Sequence, residues 1–596
     1  YGPNTVGGAL NFVTPSLEQS VLRQIDLSAG SDGFKKARLK FGEKYNRFGY
    51  RVDALHYGTD GFKYLESGAD TGFKRDDVNL RLEWDLSQSA SLPHALIVKI
   101  GYAEEDADET YLGLSEEDFS NEPNLRYPAS SLDNFISEHK QIHVIHSLAL
   151  SDSLSITNKA YVNRFDREWF KFTATFAPAV LGGYAFTDIK NILIAGADSS
   201  ESSDIYELVS GQRDSLTSNG VPDLADTLFY TNNAREYGSQ GYEFRASYLS
   251  ELASWDREQN IGFRYHHDYI DRDHSVHGFR MLNKVLVGDN RSYDNTSFES
   301  VKSDAYALHY RDQITRNDLT LNAGLRVERI EGSVDNYLAD TSSDNDQTVY
   351  IPGAGLFYQY KPRWGFLFGV NKGFSPKGPK SPSSVDPEES INYEAGFRYT
   401  KDETQIDLIA FYSDYSNLLG RCRASDPCDI GSEFNGGDVD VSGLEFNMSS
   451  VHSFTENGSL SYYISYTFTE TEFQSTFDSN FSQWGSVSKG DELPYIPKNQ
   501  FFAQASVALP DKLFSLSMKY SDKMRELPGK GSYIDGYHTP HLVLFDLAST
   551  FYLSDELSVG LMIENLLDDQ KVVSRRPFGA RPNMPRTLKI NLGYKF

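Results

Sequence analysis

The amino-acid sequence predicts an all-β fold, a 22-stranded antiparallel transmembrane β-barrel. Three observations predict it. Apolar and polar residues alternate along most of the chain, short and long connections also alternate, and the alternating segments between residues 21 and 596 number about 22, an even count. The helical period of about 3.6 residues dominates no long stretch.

The alternation is clearest in residues 319–327, 460–468 and 514–520. Successive side chains of a strand point to opposite faces, so each segment offers one face to hydrocarbon and the other to water. No run of about 18 uncharged apolar residues occurs, and the sequence therefore predicts no membrane-spanning helix. A spanning strand needs only about 9 to 11 residues, every second one facing lipid, so the mean hydropathy of −0.48 does not argue against a membrane.

The connections predict two different rims. The short ones are 45–47, 151–153, 314–317, 361–364, 400–403 and 509–512. The long ones are roughly 104–138, 167–233, 268–300, 416–438, 469–497, 525–541 and 567–585. Structureless loops of this length are unusual in compact soluble domains but usual on the outer surface of a barrel, with short turns at the periplasmic rim. A propeller or tandem sandwiches would need regular spacing and internal repeats, neither of which we find.

Composition excludes several classes of protein. Lys and Arg number 57 against 84 Asp and Glu, so the formal charge is −27, which argues against nucleic acid as a partner. Abundant Tyr and Phe with only 2 Cys exclude disorder, collagen and a disulfide scaffold. We find no motif for catalysis, so we expect neither an enzyme nor a cofactor nor a metal site.

Both ends of the chain indicate an outer-membrane protein. Residues 588–596 alternate and finish on Phe596, which resembles the last strand of bacterial outer-membrane barrels, although a soluble protein can also end in such a strand. Residues 1–14 resemble the segment that closes the plug domain of TonB-dependent outer-membrane receptors. This motif includes Gly7, Gly8, Asn11 and Thr14. We expect residues 1–16 to be the end of a plug domain and 17–596 to be the barrel, with a signal peptide, most of the plug and its TonB-binding motif missing upstream.

Two further stretches resemble the same family. They are residues 373–376 with 387–396, and residues 563–568 with 585–587. Residues 109–114, with Arg126, Tyr127, Leu132 and Asp133, resemble the group of ferric-dicitrate transporters. The resemblance implies a monomeric outer-membrane receptor that imports a ferric siderophore or ferric citrate, energised by TonB, ExbB and ExbD through the missing N-terminal part.

The same resemblance is compatible with several other ligand classes. Haem is disfavoured because the family's haem-receptor motif is absent, although His266, His267, His274 and His277 keep it open. A receptor for cobalamin or for an oligosaccharide would share the barrel and the plug. A passive porin would share the barrel alone, and the Gly7–Gly8 pair argues against it.

Anionic ferric chelates need positive donors at the barrel mouth, and aromatic side chains add packing around a chelate. The candidate ligand-binding residues are Arg126, Tyr127, Trp169, Lys377, Lys380, Arg421, Arg423, Arg525, Arg575, Arg576 and Arg581. Membrane girdles and contacts with lipopolysaccharide use the same residue types.

Two local clusters remain. Cys422 and Cys428 lie in one predicted loop, and we expect them to form a disulfide, which the oxidising periplasm permits. The alternative, a metal site, would lack nearby His. Glu104, Glu105 and Asp106, with Asp108 and Glu109, predict either a calcium or lipopolysaccharide contact or a solvated loop face.

Overall fold

The computed structural model describes residues 6, 14, 17, 22–88, 92–175, 200–218, 221–222, 226–422, 432–479, 481 and 483–596. In this part of the chain 22 long strands pair with their neighbours in chain order, and every pairing is antiparallel. The first strand also pairs with the last, Ile25 lying opposite Tyr594. The predicted closed barrel is therefore confirmed.

The strands are numbered β1 to β22 in chain order. The first eleven are Leu22–Gly30, Lys35–Tyr45, Phe48–Thr59, Phe73–Asp85, His94–Ala107, Asn134–Ala149, Leu154–Thr175, Leu228–Leu252, Trp255–Leu282, Ser297–Arg316 and Leu319–Asn336. The other eleven are Thr341–Lys361, Trp364–Ser375, Glu388–Lys401, Thr404–Ser416, Val439–Thr455, Gly458–Phe473, Asn499–Leu509, Lys512–Ser521, Leu542–Tyr552, Leu557–Glu564 and Thr587–Lys595. The short strand Val285–Gly288 folds back on β9.

Short turns join the strands at one rim and long loops at the other, as predicted. The loops contain the helices α1, Glu116–Asn121, and α2, Ser200–Val209, and a 3₁₀ turn, Pro128–Ser130. They also contain small hairpins, namely Thr217–Ser218 with Val221–Pro222, Leu419–Arg421 with Glu433–Asn435, Phe477–Asp478 with Ser486–Val487, Met524–Arg525 with His538–Thr539 and Val572–Ser574 with Arg581–Pro582. Neither helix of the described part is long and apolar enough to cross a membrane.

Strand length differs greatly around the barrel. Strands β7, β8, β9 and β10 have 22, 25, 28 and 20 residues and form what we call the tall wall. By contrast β1, β21 and β22 have 9, 8 and 9 residues. Since a spanning strand needs only about 9 to 11 residues, the tall wall rises well above the bilayer.

The alternation of side chains marks where the lipid-facing surface ends. In β11 the outward positions are apolar up to Val327 and charged at Arg329 and Glu331. In β7 the apolar outward residues give way to charged ones after Val162, which is 54% exposed, and Arg164, Asp166 and Glu168 follow on that face. Residues beyond these positions belong to the extracellular part of the wall.

Several predicted loop bounds are wrong, because strands continue where loops were expected. The predicted loops 167–233 and 268–300 begin only after Thr175 and Leu282. Above the bilayer the outward face becomes polar, so the apolar–polar alternation that revealed the strands disappears. As a result His266, His267, His274 and His277 lie in β9, with the even-numbered pair on the inner face and the odd-numbered pair on the outer face.

The predicted acidic loop cluster is also divided by a strand. Glu104, Glu105 and Asp106 belong to β5, where Glu104 and Asp106 face outward. Glu105 is on the inner face and accepts a hydrogen bond of 2.7 Å from Arg75.

The few described residues before β1 contact the inner wall. The carbonyl oxygen of Val6 accepts hydrogen bonds from Ser390 Oγ at 3.3 Å and Tyr415 Oη at 3.4 Å. Thr14 Oγ1 accepts one from Arg81 at 3.2 Å. Gly7, Gly8 and Asn11 lie outside the described residues, so the plug-end motif and the boundary at residue 16 remain predictions.

Extracellular loops pack together on the upper ends of β7, β8 and β9. We call residues 108–133, 200–218 and 565–586 the loop cap. Its apolar core consists of Leu112, Leu114, Tyr127, Ala129, Phe172, Ile205, Leu208, Val209, Leu228, Tyr230, Met281 and Phe578. Two of the loops meet backbone to backbone, and a Cβ on Gly113 would lie 2.5 Å from the Phe578 carbonyl oxygen, so this position requires glycine.

Candidate functional site

Charges of opposite sign alternate along three neighbouring strands of the tall wall. The segments are Asp166, Arg167 and Glu168 in β7, Arg235 and Glu236 in β8, and Asp271, Arg272 and Asp273 in β9. Because side chains alternate between faces, the arginines lie on the face opposite to Val162 and point into the lumen, whereas the carboxylates point outward.

Strand register brings the three arginines side by side. Arg235 is the direct cross-strand partner of both Arg167 and Arg272. Residues in such positions have Cβ atoms about 5 Å apart. We call Arg167, Arg235 and Arg272 the arginine row.

Aromatic side chains, one hydroxyl and one imidazole hold the arginine row. The imidazole is that of His274, whose Nε2 accepts from Arg235 Nε at 3.3 Å. Tyr237 Oη accepts hydrogen bonds from Arg235 Nη1 at 3.2 Å and from Arg167 Nη2 at 3.4 Å. The Arg167 guanidinium lies about 6 Å from the ring centroids of Phe135, Trp169 and Tyr237. Arg167 Nη1 and Arg272 Nε are buried without an acceptor among the residues that the structure describes. Buried donors without acceptors are costly, so an anion at the row would be stabilising.

A fourth cation lies above the row. Lys171 is only 2% exposed, and its Nζ is 3.6 Å from the centroid of the Tyr111 ring and 3.8 Å from that of Trp169. Trp169 Nε1 donates to the Glu109 carbonyl oxygen at 3.1 Å, which connects the loop cap to the wall. The predicted residue Trp169 thus lies beside the arginine row.

The loop cap adds further charge next to Lys171. Lys63, in the loop after β3, lies near the cap residues Arg581 and Arg126, and burial together with their charges lowers its pKa to about 7. Burial raises the pKa of the Asp133 carboxyl to about 7, although Thr110, the backbone N–H of Phe172 and the charge of Arg126 favour its ionised form. The cap therefore concentrates buried positive charge that its own carboxylates compensate only in part.

The row borders a luminal cavity of about 670 Å³ beneath the loop after β13. Its basic lining residues are Arg264, His266, Arg272, Lys377, Lys380 and Arg421. The predicted residues Lys377, Lys380 and Arg421 are thus brought to the same cavity as Arg272. Arg421 Nε donates to Glu433 at 2.6 Å, and Glu433 also accepts from Gly378 N at 2.5 Å, which fixes the loop over the cavity.

Most other predicted cations hold loops together. The three guanidinium nitrogens of Arg126 donate to Ser130 and to the Asp108 carbonyl oxygen. Arg525 pairs with Glu492, Arg575 pairs with Glu116, and Arg581 donates to the Thr110 carbonyl oxygen at 2.8 Å.

The remaining predicted residues lie apart from the row or outside the described chain. Tyr127 is buried in the cap core, and Arg576 lies 5.9 Å from the Tyr495 ring. Cys422 is 2% exposed. Arg423 and Cys428 are outside the described residues, so the disulfide stays a prediction.

Sequence reasoning missed Arg167, Lys171, Arg235, Arg272 and Tyr237 because it looked for ligand contacts in loops. The available signal was the alternation of acid and base within segments that also alternate as strands. In the described part of the chain we find no group of three or more His, Cys, Asp or Glu side chains placed to hold a metal ion.

Comparisons with known proteins agree with this architecture. A sequence model of a family described as TonB dependent receptor-like, beta-barrel matches residues 146–566. The unliganded ferric citrate transporter FecA is 17% identical with a TM-score of 0.74, and the match covers 100% of this chain and 82% of FecA. The siderophore receptor PiuA from Acinetobacter baumannii is 14% identical with a TM-score of 0.76, covering 100% and 84%. The copper transporter OprC is 13% identical with a TM-score of 0.64, covering 96% and 80%. At these identities the likeness concerns the fold.

Proposed function

Because this chain belongs to the family of TonB-dependent receptor β-barrels, which are transporters of the outer membrane and not enzymes, we propose that it imports a ferric chelate, either a ferric siderophore or ferric citrate. Uptake would be energised through TonB. Haem, cobalamin, an oligosaccharide and passive diffusion are the competing hypotheses.

The arginine row is the observation that supports an anionic ligand. Ferric complexes of siderophores and of citrate are often anionic, and guanidinium groups bind planar oxygen donors through two parallel hydrogen bonds. The row presents buried N–H groups without acceptors in the described chain. The adjoining cavity adds the basic residues Arg264, Lys377, Lys380 and Arg421, and it is also lined by four carboxylates, of which Glu433 pairs with Arg421. The other three are Asp268, Glu328 and Glu388. Two proteins of similar fold are named as a ferric citrate transporter and a siderophore receptor, which is consistent with this class of ligand.

The geometry suggests a sequence of events. A chelate enters between the long loops, passes the loop cap and meets the arginine row above the level of the bilayer. The loop after β13, attached through Glu433, closes the cavity on the other side. Release toward the periplasm would then depend on TonB, ExbB and ExbD. These partners, contact with lipopolysaccharide and a monomeric state stay predictions.

The test has two parts. Binding to the purified chain in detergent is measured by calorimetry for ferric citrate, a ferric catecholate, a ferric hydroxamate, haem and cobalamin. Growth under iron limitation is then measured in cells that express the receptor from its full gene, with and without TonB. Binding of a ferric chelate and TonB-dependent growth support the proposal. Binding of haem or cobalamin alone, or growth that does not need TonB, contradicts it.

A further inference from the structure

Glu299 of β10 extends the arginine row by one strand. It is the direct cross-strand partner of Arg272. It is only 3% exposed, and its carboxylate forms ion pairs with Arg272 and with Lys380 of the loop after β13. At the other end of the row, the residue opposite Arg167 is the neutral Ser137.

The positions directly above and below the row contain no further carboxylate. Below it on the same face of β7, β8 and β9 are Phe165, Tyr237 and Ile270, and above it are Trp169, Asn233 and His274. Among the direct neighbours of the row in the described chain, Glu299 is therefore the carboxylate that compensates the three guanidinium groups. Glu105, two strands from Arg167 on the same face, pairs with Arg75. The two partners of Glu299 are at one end of the row. In the described chain Arg167 and Arg235 share the neutral hydroxyl of Tyr237, and Arg235 Nε also donates to His274 Nε2 at 3.3 Å.

Such an arrangement favours ligands that carry several negative charges. Neighbouring guanidinium groups repel strongly where water is excluded, and a bound anion removes that repulsion. Glu299 compensates Arg272, so a ligand with one negative group still leaves either Arg167 or Arg235 without a counter-charge. A ligand with several negative groups spread over the width of three strands, about 10 Å, can compensate all three arginines.

We propose that the arginine row binds a ferric chelate carrying at least two negative charges, and that Glu299 sets this threshold as an internal anion competing for Arg272 and Lys380. This rests on the proposed function and narrows it to polyanionic chelates, such as polycarboxylates or catecholates. The proposal therefore excludes neutral ferric hydroxamate complexes as ligands of the arginine row. Glu299 is then a specificity-determining residue that weakens binding of weakly charged ligands.

The first experiment uses the unaltered chain. Dissociation constants are measured by calorimetry for ferric chelates of similar size with net charges of zero, one, two and three negative units. We expect binding to tighten about tenfold or more between the monoanion and the dianion, and to weaken as salt is raised. Equal affinity across the series, or tighter binding of the neutral chelate, overturns the inference while leaving uptake of a ferric chelate intact. Failure of every chelate to bind counts against the proposed function itself.

The second experiment alters the row. Arg235→Gln should weaken binding of the dianion about tenfold, whereas Glu299→Gln should tighten binding of the monoanion about five- to tenfold. Glu299→Asp keeps the charge and should stay within about threefold of the parent chain. The matched control is Arg164→Gln, which removes the same charge from the outer face of β7, where Arg164 is 52% exposed.

Folding of each variant is checked by circular dichroism and by heat-modifiable gel mobility. Unchanged or weaker monoanion binding in folded Glu299→Gln overturns the assignment of Glu299, and if that variant does not fold the charge series decides.

Discussion

The outer and inner faces of the same strands differ in charge at the same height. Outward-facing carboxylates occupy direct cross-strand positions in six adjacent strands, β4 to β9. They are Asp76, Glu104, Glu138, Asp166, Glu236 and Asp271. The arginine row lies on the inner face of β7, β8 and β9, one residue closer to the extracellular end of each strand.

The two rows deal with like-charge repulsion in different ways. The outer carboxylates are exposed, for example 44% for Asp76 and 35% for Asp166, so water and salt screen them. Cations of the outer face also pair with them, Arg164 lying 3.1 Å from Asp166 and 2.8 Å from Glu236. The inner arginines are largely withdrawn from water, and in the described part of the chain one carboxylate, that of Glu299, pairs with the row. A row of like charges therefore implies a ligand only where solvent cannot compensate it.

The largest expected effect comes from removing the inner row. The triple variant Arg167→Gln, Arg235→Gln and Arg272→Gln should weaken binding of an anionic ferric chelate at least about a hundredfold, because all three donors are lost. The matched outer variant, Asp166→Asn with Glu236→Gln and Asp271→Asn, should change affinity less than about threefold. Calorimetry on both proteins measures the difference. Similar losses in the two variants would show that the faces are equivalent for binding.

A smaller effect should follow from removing the shared acceptor. Tyr237→Phe leaves Arg167 and Arg235 without their common hydroxyl, so we expect a loss of about 1 to 3 kcal/mol in the free energy of unfolding. A saturating anionic chelate should restore most of this loss, because it supplies new acceptors. Thermal unfolding with and without ligand provides the measurement. Tyr242→Phe is the control, since Tyr242 is 42% exposed on the outer face. A loss that ligand does not restore would contradict the prediction.

The buried carboxyl of Asp133 should make the loop cap sensitive to pH. Its pKa in the folded chain is raised by burial from 3.8 to about 7, so the folded state holds the proton between these values. Its contribution to stability is therefore present below about pH 4 and is lost as the pH rises through about 7. The protection factors of residues 108–133, which correct the exchange rates for the intrinsic effect of pH, should be lower at about pH 8 than at about pH 6. The Asp133→Asn variant should reduce that difference, and an unchanged difference would rule out this carboxyl as the cause.

The smallest effect is expected on the outer face. Raising salt from low to moderate concentration should screen the six carboxylates and increase the free energy of unfolding by less than about 1 kcal/mol. The same salt should weaken binding of an anionic chelate at the inner row. Unfolding and binding measured on one sample should therefore respond to salt with opposite signs. If salt changed stability and binding affinity in the same direction, the outer and inner faces would not differ in their response to screening.

Sequence reasoning predicted the barrel because its signal is local and repeated. Alternation in β11, β17 and β19 indicates strands, and alternating short and long connections indicate two rims. The same reasoning placed the upper parts of β7 and β9 in loops, since strands above the bilayer no longer need an apolar face. It chose Arg126, Arg525 and Arg575 as ligand contacts by their loop positions, whereas the structure uses their guanidinium groups to hold loops together.

Which side chains share a face follows from the sequence alone, because a strand alternates strictly and Arg167 must point away from Asp166. The closed, even-numbered barrel also follows from it, since every spanning segment carries its own pattern. That Arg167, Arg235 and Arg272 stand in one row with Glu299 at its end is a property of the folded sheet. It depends on the register between neighbouring strands, which is set by turn geometry and by the apolar pattern. A short turn joins β8 to β9, but a long connection separates β7 from β8, and the apolar pattern has ended at the height of the row.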